Sequence, residues 1–323
     1  MYLGAASRDP WPVAPARNTT NEAGAGRSAA GRTLPVVTHA PGITRVGVVG
    51  CGVMGSGIAE VSARAGLDVV VCEASAQLAQ EGEERVRRSL ARAVEGGKLA
   101  EEERSAALER LRFVADFAAL SDRQLVLEAV PEDPFTKASV LARLGAVLPE
   151  DAVIGTNTSS MPIISLARAT ERPGRVLGVH FFNPVPVQPL VEVIPSLLTE
   201  EAVAGSVASF VSERLGKTVV RSKDRAGFLV SALLIPYLLS AIRMYESGFA
   251  TAEAIDTGME KGCAQPMGPL RLCDLIGLDT VKAIADTLHE EFKEPLYGPP
   301  PLLRRMVEAG WLGRKSGRGF YTY

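Results

Sequence analysis

The stretch "GVHFFNPVPVQPLVEVI", Gly178 to Ile194, places one histidine inside an apolar run broken three times by proline. An imidazole adds little to a core, but it is the side chain best suited to moving protons near neutral pH. His180 and Glu192 lie symmetrically about Pro186, between two strand-like runs. A reversal centred on "NPVPVQP" brings the two side chains opposite each other, and the preset φ of proline stiffens such a turn. A carboxylate at one ring nitrogen would fix the tautomer and steady the imidazolium formed on proton abstraction. Asn183 adds a donor and an acceptor beside the pair. Spacing alone leaves two readings open: a core histidine held for structure, or a general base. Of the other histidines, His39 lies in the N-terminal tail and His289 in "TLHEEF", read as a solvated helix face.

A second set of residues points to a ligand that such a base would need. "GCGVMGSG" carries Gly50, Gly52 and Gly55 as G-x-G-x-x-G, directly after the strand-like "RVGVVG" and opening a helical stretch. In that context Gly50 permits the tight turn and Gly52 lets the backbone approach a pyrophosphate. Gly55 allows close helix–strand packing, with the helix N-terminus facing the phosphates. The next strand-like run, "LDVVVCE", ends in Glu73, whose carboxylate can accept from ribose hydroxyls and repels a 2′-phosphate. The cofactor expected is therefore NAD. "GTNTSSMPII" follows another strand-like run, where ligands of such sheets bind. Ser160 is expected to cap the helix starting near Pro162, leaving Asn157 and Ser159 to face the crevice.

These residues need a scaffold. Short buried-type runs at 124–130, 151–156 and 175–182 alternate with helical segments, among them a charged helix over 76–95 and another over 101–111. That alternation predicts a parallel sheet covered on both faces. No convincing strand follows Ala226. "AGFLVSALLIPYLLSAIRMYESG" reads as one helix ending at Gly248, and Thr251 as the N-cap of the next, with Ile255 and Met259 on its apolar face. The expected fold is α/β: a Rossmann-type dinucleotide-binding domain over 44–223, followed by an all-helical C-terminal domain over 224–323. Residues 1–43, rich in Ala, Gly, Pro, Ser and Arg, read as a disordered tail or an over-long start. A transit peptide is the weaker reading of them.

Composition bounds the function. With 323 residues, 46% hydrophobic and 22% charged, the chain has the make-up of a two-domain globular protein. A net charge of −2 gives no footprint for nucleic acid, and no apolar run suggests a membrane span. The four cysteines lie far apart without histidines at ligand spacing, so no metal and no disulfide framework are expected, and a cytoplasmic location is.

Taken together, "GCGVMGSGIAE", "TNTSS", "HFFNPVPV…LVEV", "PMGPL" and "GWLGRKSGRGFY" resemble the 3-hydroxyacyl-CoA dehydrogenases, in particular the short, single-function 3-hydroxybutyryl-CoA dehydrogenases of bacteria. The resemblance covers roughly Arg45 to Tyr323. It implies a homodimer formed through the helical domain, an acyl-CoA thioester substrate, and NAD. By the same resemblance His180 is the general base, Glu192 its partner and Ser159 the serine contacting the substrate oxygen and the nicotinamide. Gly50, Gly52, Val53, Met54 and Gly55 match the phosphate turn and Glu73 the ribose acid. Glu132, Lys137 and Asn183 match further cofactor contacts, and Lys315 a lysine that closes over the cofactor. Ser89 matches a serine that touches CoA. The CoA-contacting lysine expected soon after it has no counterpart, since Gly96 stands there and Lys98 is the nearest substitute.

The chain departs from the family pattern in three places. Thr156 replaces a serine but keeps the hydroxyl, and Gln265 replaces a histidine distant from the proposed chemistry. Ser231 replaces the asparagine that helps hold the thioester and the reacting oxygen. A hydroxyl cannot present the same donor–acceptor pair as a carboxamide, so Ser231 counts among the catalytic and substrate-binding candidates. The departure raises an alternative, a dehydrogenase of hydroxyacyl groups on acyl carrier protein in a secondary-metabolite pathway. A non-catalytic NAD-binding protein is the remaining reading.

Overall fold

The computed structural model describes residues 42–323; the expectations for the tail and for His39 lie outside the described residues. The first half alternates as the sequence implies. β1 (Arg45–Val49) leads into α1 (Val53–Arg64), and β2 (Asp68–Cys72) into α2 (Ala76–Glu95) and α3 (Glu101–Glu109). β3 (Leu111–Val114), β4 (Leu125–Glu128), α4 (Pro134–Val147), β5 (Val153–Thr156) and α5 (Ile163–Ala167) follow. β6 (Val176–Phe181), β7 (Leu190–Pro195), α6 (Glu201–Ser209) and β8 (Thr218–Arg221) complete an eight-stranded sheet of order β3-β2-β1-β4-β5-β6-β7-β8.

Every neighbouring pair is parallel except β6 and β7, which run antiparallel. Successive side chains of a strand point to opposite faces, and the core divides accordingly. Val46, Val48, Val69, Val71, Leu125 and Leu127 pack with α1 on one face. Val70, Cys72, Val126 and Ile154 pack with α4 and α5 on the other. Both faces are covered, which is why these strands read as continuous apolar runs rather than alternating ones.

The helical remainder consists of α7 (Val230–Glu246), α8 (Ala252–Gly262), α9 (Pro269–Ile276), α10 (Leu278–Phe292) and α11 (Pro301–Glu308). They enclose their own core around Ile235, Leu238, Leu239, Ile242, Leu270, Leu278, Val281 and Leu288. The Thr251 side chain caps α8, accepting from Ala254 N–H at 3.2 Å. Among the described residues no helix is long and apolar enough to cross a membrane.

Two element boundaries differ from expectation. The helix read over 101–111 stops at Glu109, and Leu111 opens the edge strand β3. No glycine or proline separates the two elements; Arg110 alone forms the helix C-cap, so the sequence carries no punctuation there. The long C-terminal helix starts at Val230 rather than Ala226. Gly227 and Phe228 take left-handed conformations, with φ of +71° and +48°, and turn the chain before the helix can begin.

Candidate active site

The β6–β7 antiparallel register pairs His180 directly with Glu192. His180 Nδ1 lies 2.7 Å from Glu192 Oε2, with the histidine 8% exposed and the glutamate fully buried. An ionised carboxylate only accepts, so Nδ1 carries the proton and Nε2 presents its lone pair. Nε2 has no protein hydrogen-bond partner among the described residues. The ring is flanked by Phe182 and Phe228, at centroid distances of 4.5 and 5.7 Å.

Glu192 has a second duty that sequence reading missed. Its Oε1 accepts from the backbone N–H groups of Leu229 and Val230, both at 3.0 Å. The buried carboxylate thereby satisfies orphan donors at the start of α7, where no side chain within the helix provides a cap. The contact brings Ser231, the second residue of α7 and nearly buried, to the neighbourhood of the dyad. The reversal itself is pinned by Lys217, also missed, whose buried Nζ donates to Val185 O and Gln188 O at 2.7 Å each. Asn183 is exposed at the mouth of this turn and forms a cis peptide bond with Pro184.

The loop after β5 is organised differently from expectation. Asn157 does not face the crevice freely, since its Oδ1 accepts from Phe181 N–H at 2.8 Å. Ser160 does not cap α5. Asp224 does so from the linker to the helical domain, accepting from Ile163 N–H at 2.7 Å and Ile164 N–H at 2.8 Å. The Asp224 carboxylate offers one oxygen to each of the two free donors. Ser159 is half-buried; its N–H donates to Glu132 Oε1 at 3.0 Å, and its hydroxyl lies 3.4 Å from the same oxygen. Thr158 also donates to Glu132 through its hydroxyl. Burial pushes the Glu132 carboxyl up, but the Lys137 ammonium and the bonds from Thr158 and Ser159 outweigh it and hold it below the usual carboxylate range. Lys137 is buried between Glu132, 3.3 Å away, and Glu128, 2.7 Å away.

The glycine turn lies at the carboxyl ends of β1 and β4, the side of such sheets where ligands bind. Gly50 has φ +87°, and a Cβ there would meet Ala129 O at 2.8 Å. A Cβ on Gly55 would meet Gly50 O at 1.8 Å, whereas one on Gly52 would meet nothing within 4 Å. An open backbone at Gly52, followed by an uncapped helix N-terminus without an acidic first turn, fits a pyrophosphate. Val53 is 65% exposed and Met54 half-buried at that N-terminus. Glu73 reaches the turn, accepting from Cys51 N–H and from Ala74 N–H, the latter at 3.1 Å. Arg85 of α2 donates to the carbonyl of Cys51. The Cys51 thiol is pushed up to about 12, chiefly by burial and then by Glu73, so it stays protonated and unreactive.

The remaining candidates lie further out. Ser89 is half-buried on α2, and Lys98 is exposed just beyond that helix. Lys98 lines a cleft of about 710 Å³ together with Arg64, Arg110, Arg214 and Lys217. Lys315 sits in the C-terminal segment, paired with Asp279 at the start of α10 at 2.5 Å, rather than bonded to the glycine turn.

Comparison with known proteins gives this arrangement a context. Residues 45–225 match the family described as 3-hydroxyacyl-CoA dehydrogenase, NAD binding domain, and residues 227–323 match the C-terminal domain of the same family. The chain is 61% identical to a 3-hydroxybutyryl-CoA dehydrogenase of Mycobacterium tuberculosis over 282 residues, 87% of this chain and 99% of that protein. It is 40% identical to human mitochondrial hydroxyacyl-coenzyme A dehydrogenase over 288 residues, covering 87% of this chain and 91% of that protein. Among solved structures, M. tuberculosis FadB2 superposes with a TM-score of 0.87 at 60% identity, covering 88% of this chain and all of that one. The (S)-3-hydroxybutyryl-CoA dehydrogenase of Ralstonia eutropha gives 0.84 at 42% identity, covering 87% of this chain and 99% of that one. A glycine turn built for a dinucleotide, a fold shared with these enzymes and a match over nearly all described residues lead to one conclusion: the chain is an NAD-dependent dehydrogenase and belongs to the 3-hydroxyacyl-CoA dehydrogenase family.

Proposed function

We propose that the protein interconverts a short-chain (3S)-3-hydroxyacyl-CoA, such as 3-hydroxybutyryl-CoA, and the corresponding 3-oxoacyl-CoA. The observation that carries this reading is His180, with Nδ1 committed to Glu192 and Nε2 free. Nε2 takes the hydroxyl proton as the C3–H bond breaks, and the C3–O bond becomes a carbonyl. Bound NAD supplies the hydride acceptor. Glu192, ionised and buried, stabilises the imidazolium, and in the reverse direction His180 returns the proton to the forming alkoxide. Ser159 orients the substrate oxygen, Asn183 and Glu132 serve the cofactor side, Lys137 supports Glu132 from within the core rather than touching the cofactor, and Lys315 closes over the cofactor. General base catalysis of this kind contributes about 10²–10⁴-fold. The relatives named 3-hydroxybutyryl-CoA dehydrogenase support the short-chain assignment. Consumption of NADH with acetoacetyl-CoA tests the reading, and no consumption at any enzyme concentration refutes it.

The cleft supports coenzyme A as the carrier: five cationic side chains line it against Glu103 and Glu213, and among the described residues Lys98 and Arg214 form no ion pair, which suits them to phosphate groups. The double change Lys98→Glu with Arg214→Glu should raise KM for acetoacetyl-CoA at least about tenfold, the cost of roughly 1.4 kcal/mol of binding. KM for the acetoacetyl-pantetheine thioester, which lacks the nucleotide, should stay unchanged. Equal KM shifts for both thioesters would move the nucleotide elsewhere.

Ser231 is the observation that favours a second reading, turnover of a hydroxyacyl group on acyl carrier protein. If the CoA reading holds and a water fills the space beside the shorter side chain, Ser231→Asn changes kcat/KM on 3-hydroxybutyryl-CoA by less than about threefold. A lost oriented donor costs about 10²–10³ when it stabilises developing charge. A gain of that size in Ser231→Asn would point to a substrate other than the CoA thioester.

For assembly, the outer face of α7 supports a homodimer. Leu233, 71% exposed, and Met244, three turns further along the same face, continue into Phe249, 78% exposed. Exposed apolar side chains aligned along one helix face suit an association surface when a second copy covers them. Cys51, Cys72, Cys263 and Cys273 are all free thiols, which fits a reducing compartment such as the cytoplasm.

A further inference from the structure

We infer that Glu128 is a positioning residue for Ser159, acting through Lys137 and Glu132; the inference rests on the dehydrogenase reading for its kinetic assay. Glu128 is the last residue of β4 and fully buried, so it touches neither cofactor nor substrate. Its Oε1 accepts from Lys137 Nζ and from Val130 N–H, both at 2.7 Å. Its Oε2 accepts from the hydroxyl of Thr156, its register partner on β5, at 2.6 Å. Every bond Glu128 makes is therefore internal.

What those bonds accomplish follows from the second carboxylate. Lys137 is itself buried and faces two carboxylates, Glu128 at 2.7 Å and Glu132 Oε2 at 3.3 Å, with Val130 O also at 3.2 Å. Glu128 holds the short, strong contact and leaves Glu132 the long one. That division keeps Glu132 Oε1 available for the loop after β5, where it accepts from Thr158 and from Ser159 N–H and lies 3.4 Å from the hydroxyls of Ser159 and Ser160. A buried ammonium demands a close counter-charge. Without Glu128, Lys137 draws Glu132 into the short contact, and the Ser159 loop loses its anchor. The hydroxyl that orients the substrate oxygen then loses its fixed position, although no group that contacts substrate has been altered.

Steady-state kinetics and amide exchange on wild type, Glu128→Gln, Lys137→Met and the double variant test this inference. All kcat values are read at saturating NADH and acetoacetyl-CoA. Glu128→Gln should lower kcat about tenfold, as expected for losing one coupled contact, and speed exchange at Ser159 N–H while β4 and β5 stay protected. In the Lys137→Met background the same change should cost nothing further, because no ammonium remains to pull on Glu132. An equal loss in both backgrounds, an unchanged kcat, or faster exchange throughout β4 and β5 would overturn the inference. If Glu128→Gln does not fold, Lys137→Met against the double variant carries the test. Equal or higher kcat in the double variant supports the inference, and a tenfold lower one refutes it. Failure of the dehydrogenase reading shows separately, as wild type without turnover, while the exchange measurement still reports on Glu128.

Discussion

Replacing His180 with glutamine should reduce turnover about 10³-fold while leaving NAD binding unchanged. The size follows from the role: removing a general base forfeits about 10²–10⁴-fold in rate. Binding survives because the glycine turn, Glu73 and the start of α1 belong to β1, β2 and the segments after them, and the change leaves Asn183 of the β6–β7 reversal in place. Glutamine keeps a polar group of similar length between Phe182 and Phe228, so the pocket does not collapse. Stopped-flow turnover and cofactor titration of the same preparation check this. A variant that retains more than a tenth of wild-type turnover would mean that another group takes the proton.

Glu192→Gln should be at least as damaging to turnover, and for a reason the geometry makes specific. Glu192 faces donors on both sides, His180 Nδ1–H at 2.7 Å and two backbone N–H groups of α7 at 3.0 Å. A glutamine has one oxygen and one NH₂. If the oxygen turns to Leu229 and Val230, the NH₂ meets Nδ1 and drives the proton to Nε2, which can then no longer act as a base. If the oxygen turns to His180, the NH₂ abuts two further donors. The first arrangement leaves fewer buried donors unpaired, so the wrong tautomer wins. A wrong tautomer in a comparable triad costs about 10⁴ in kcat, and a loss of about 10³–10⁴ is expected here. Stability should fall little in Glu192→Gln but by about 1–3 kcal/mol for each orphaned N–H in Glu192→Ala. Thermal unfolding and kcat of both variants separate the two duties. A glutamine variant within tenfold of wild type would contradict the tautomer assignment.

The parts of this site that sequence disclosed share a physical cause. His180 and Glu192 announce their pairing because a proline-stiffened reversal has a simple symmetry, and a strand register follows from it. The glycine turn is legible because each glycine answers a local steric demand, such as the 1.8 Å approach that a side chain at Gly55 would suffer. The parts that stayed hidden depend on where distant segments return. Glu192 meets α7 across 37 and 38 residues, and Asp224 meets α5 across 60 and 61. No local pattern marks those carboxylates as caps for helices in other segments. Glu128 was hidden for a different reason: it lies inside the run read over 124–130, where nothing sets it apart from the strand, while its partner Lys137 matched a cofactor contact of the family. The left-handed turn at Gly227 and Phe228 likewise overrides a helical pattern that began earlier in the sequence.

If hydride leaves C3 of a (3S)-3-hydroxyacyl-CoA for NAD at the His180 site, a label at C3 travels with it. The most direct test is to incubate the enzyme with NAD and (3S)-3-hydroxybutyryl-CoA carrying deuterium at C3, and to examine the reduced cofactor by mass spectrometry. The expected product is NADH carrying one deuterium, formed with acetoacetyl-CoA in equal amount. Absence of NADH, or NADH without deuterium, would contradict it.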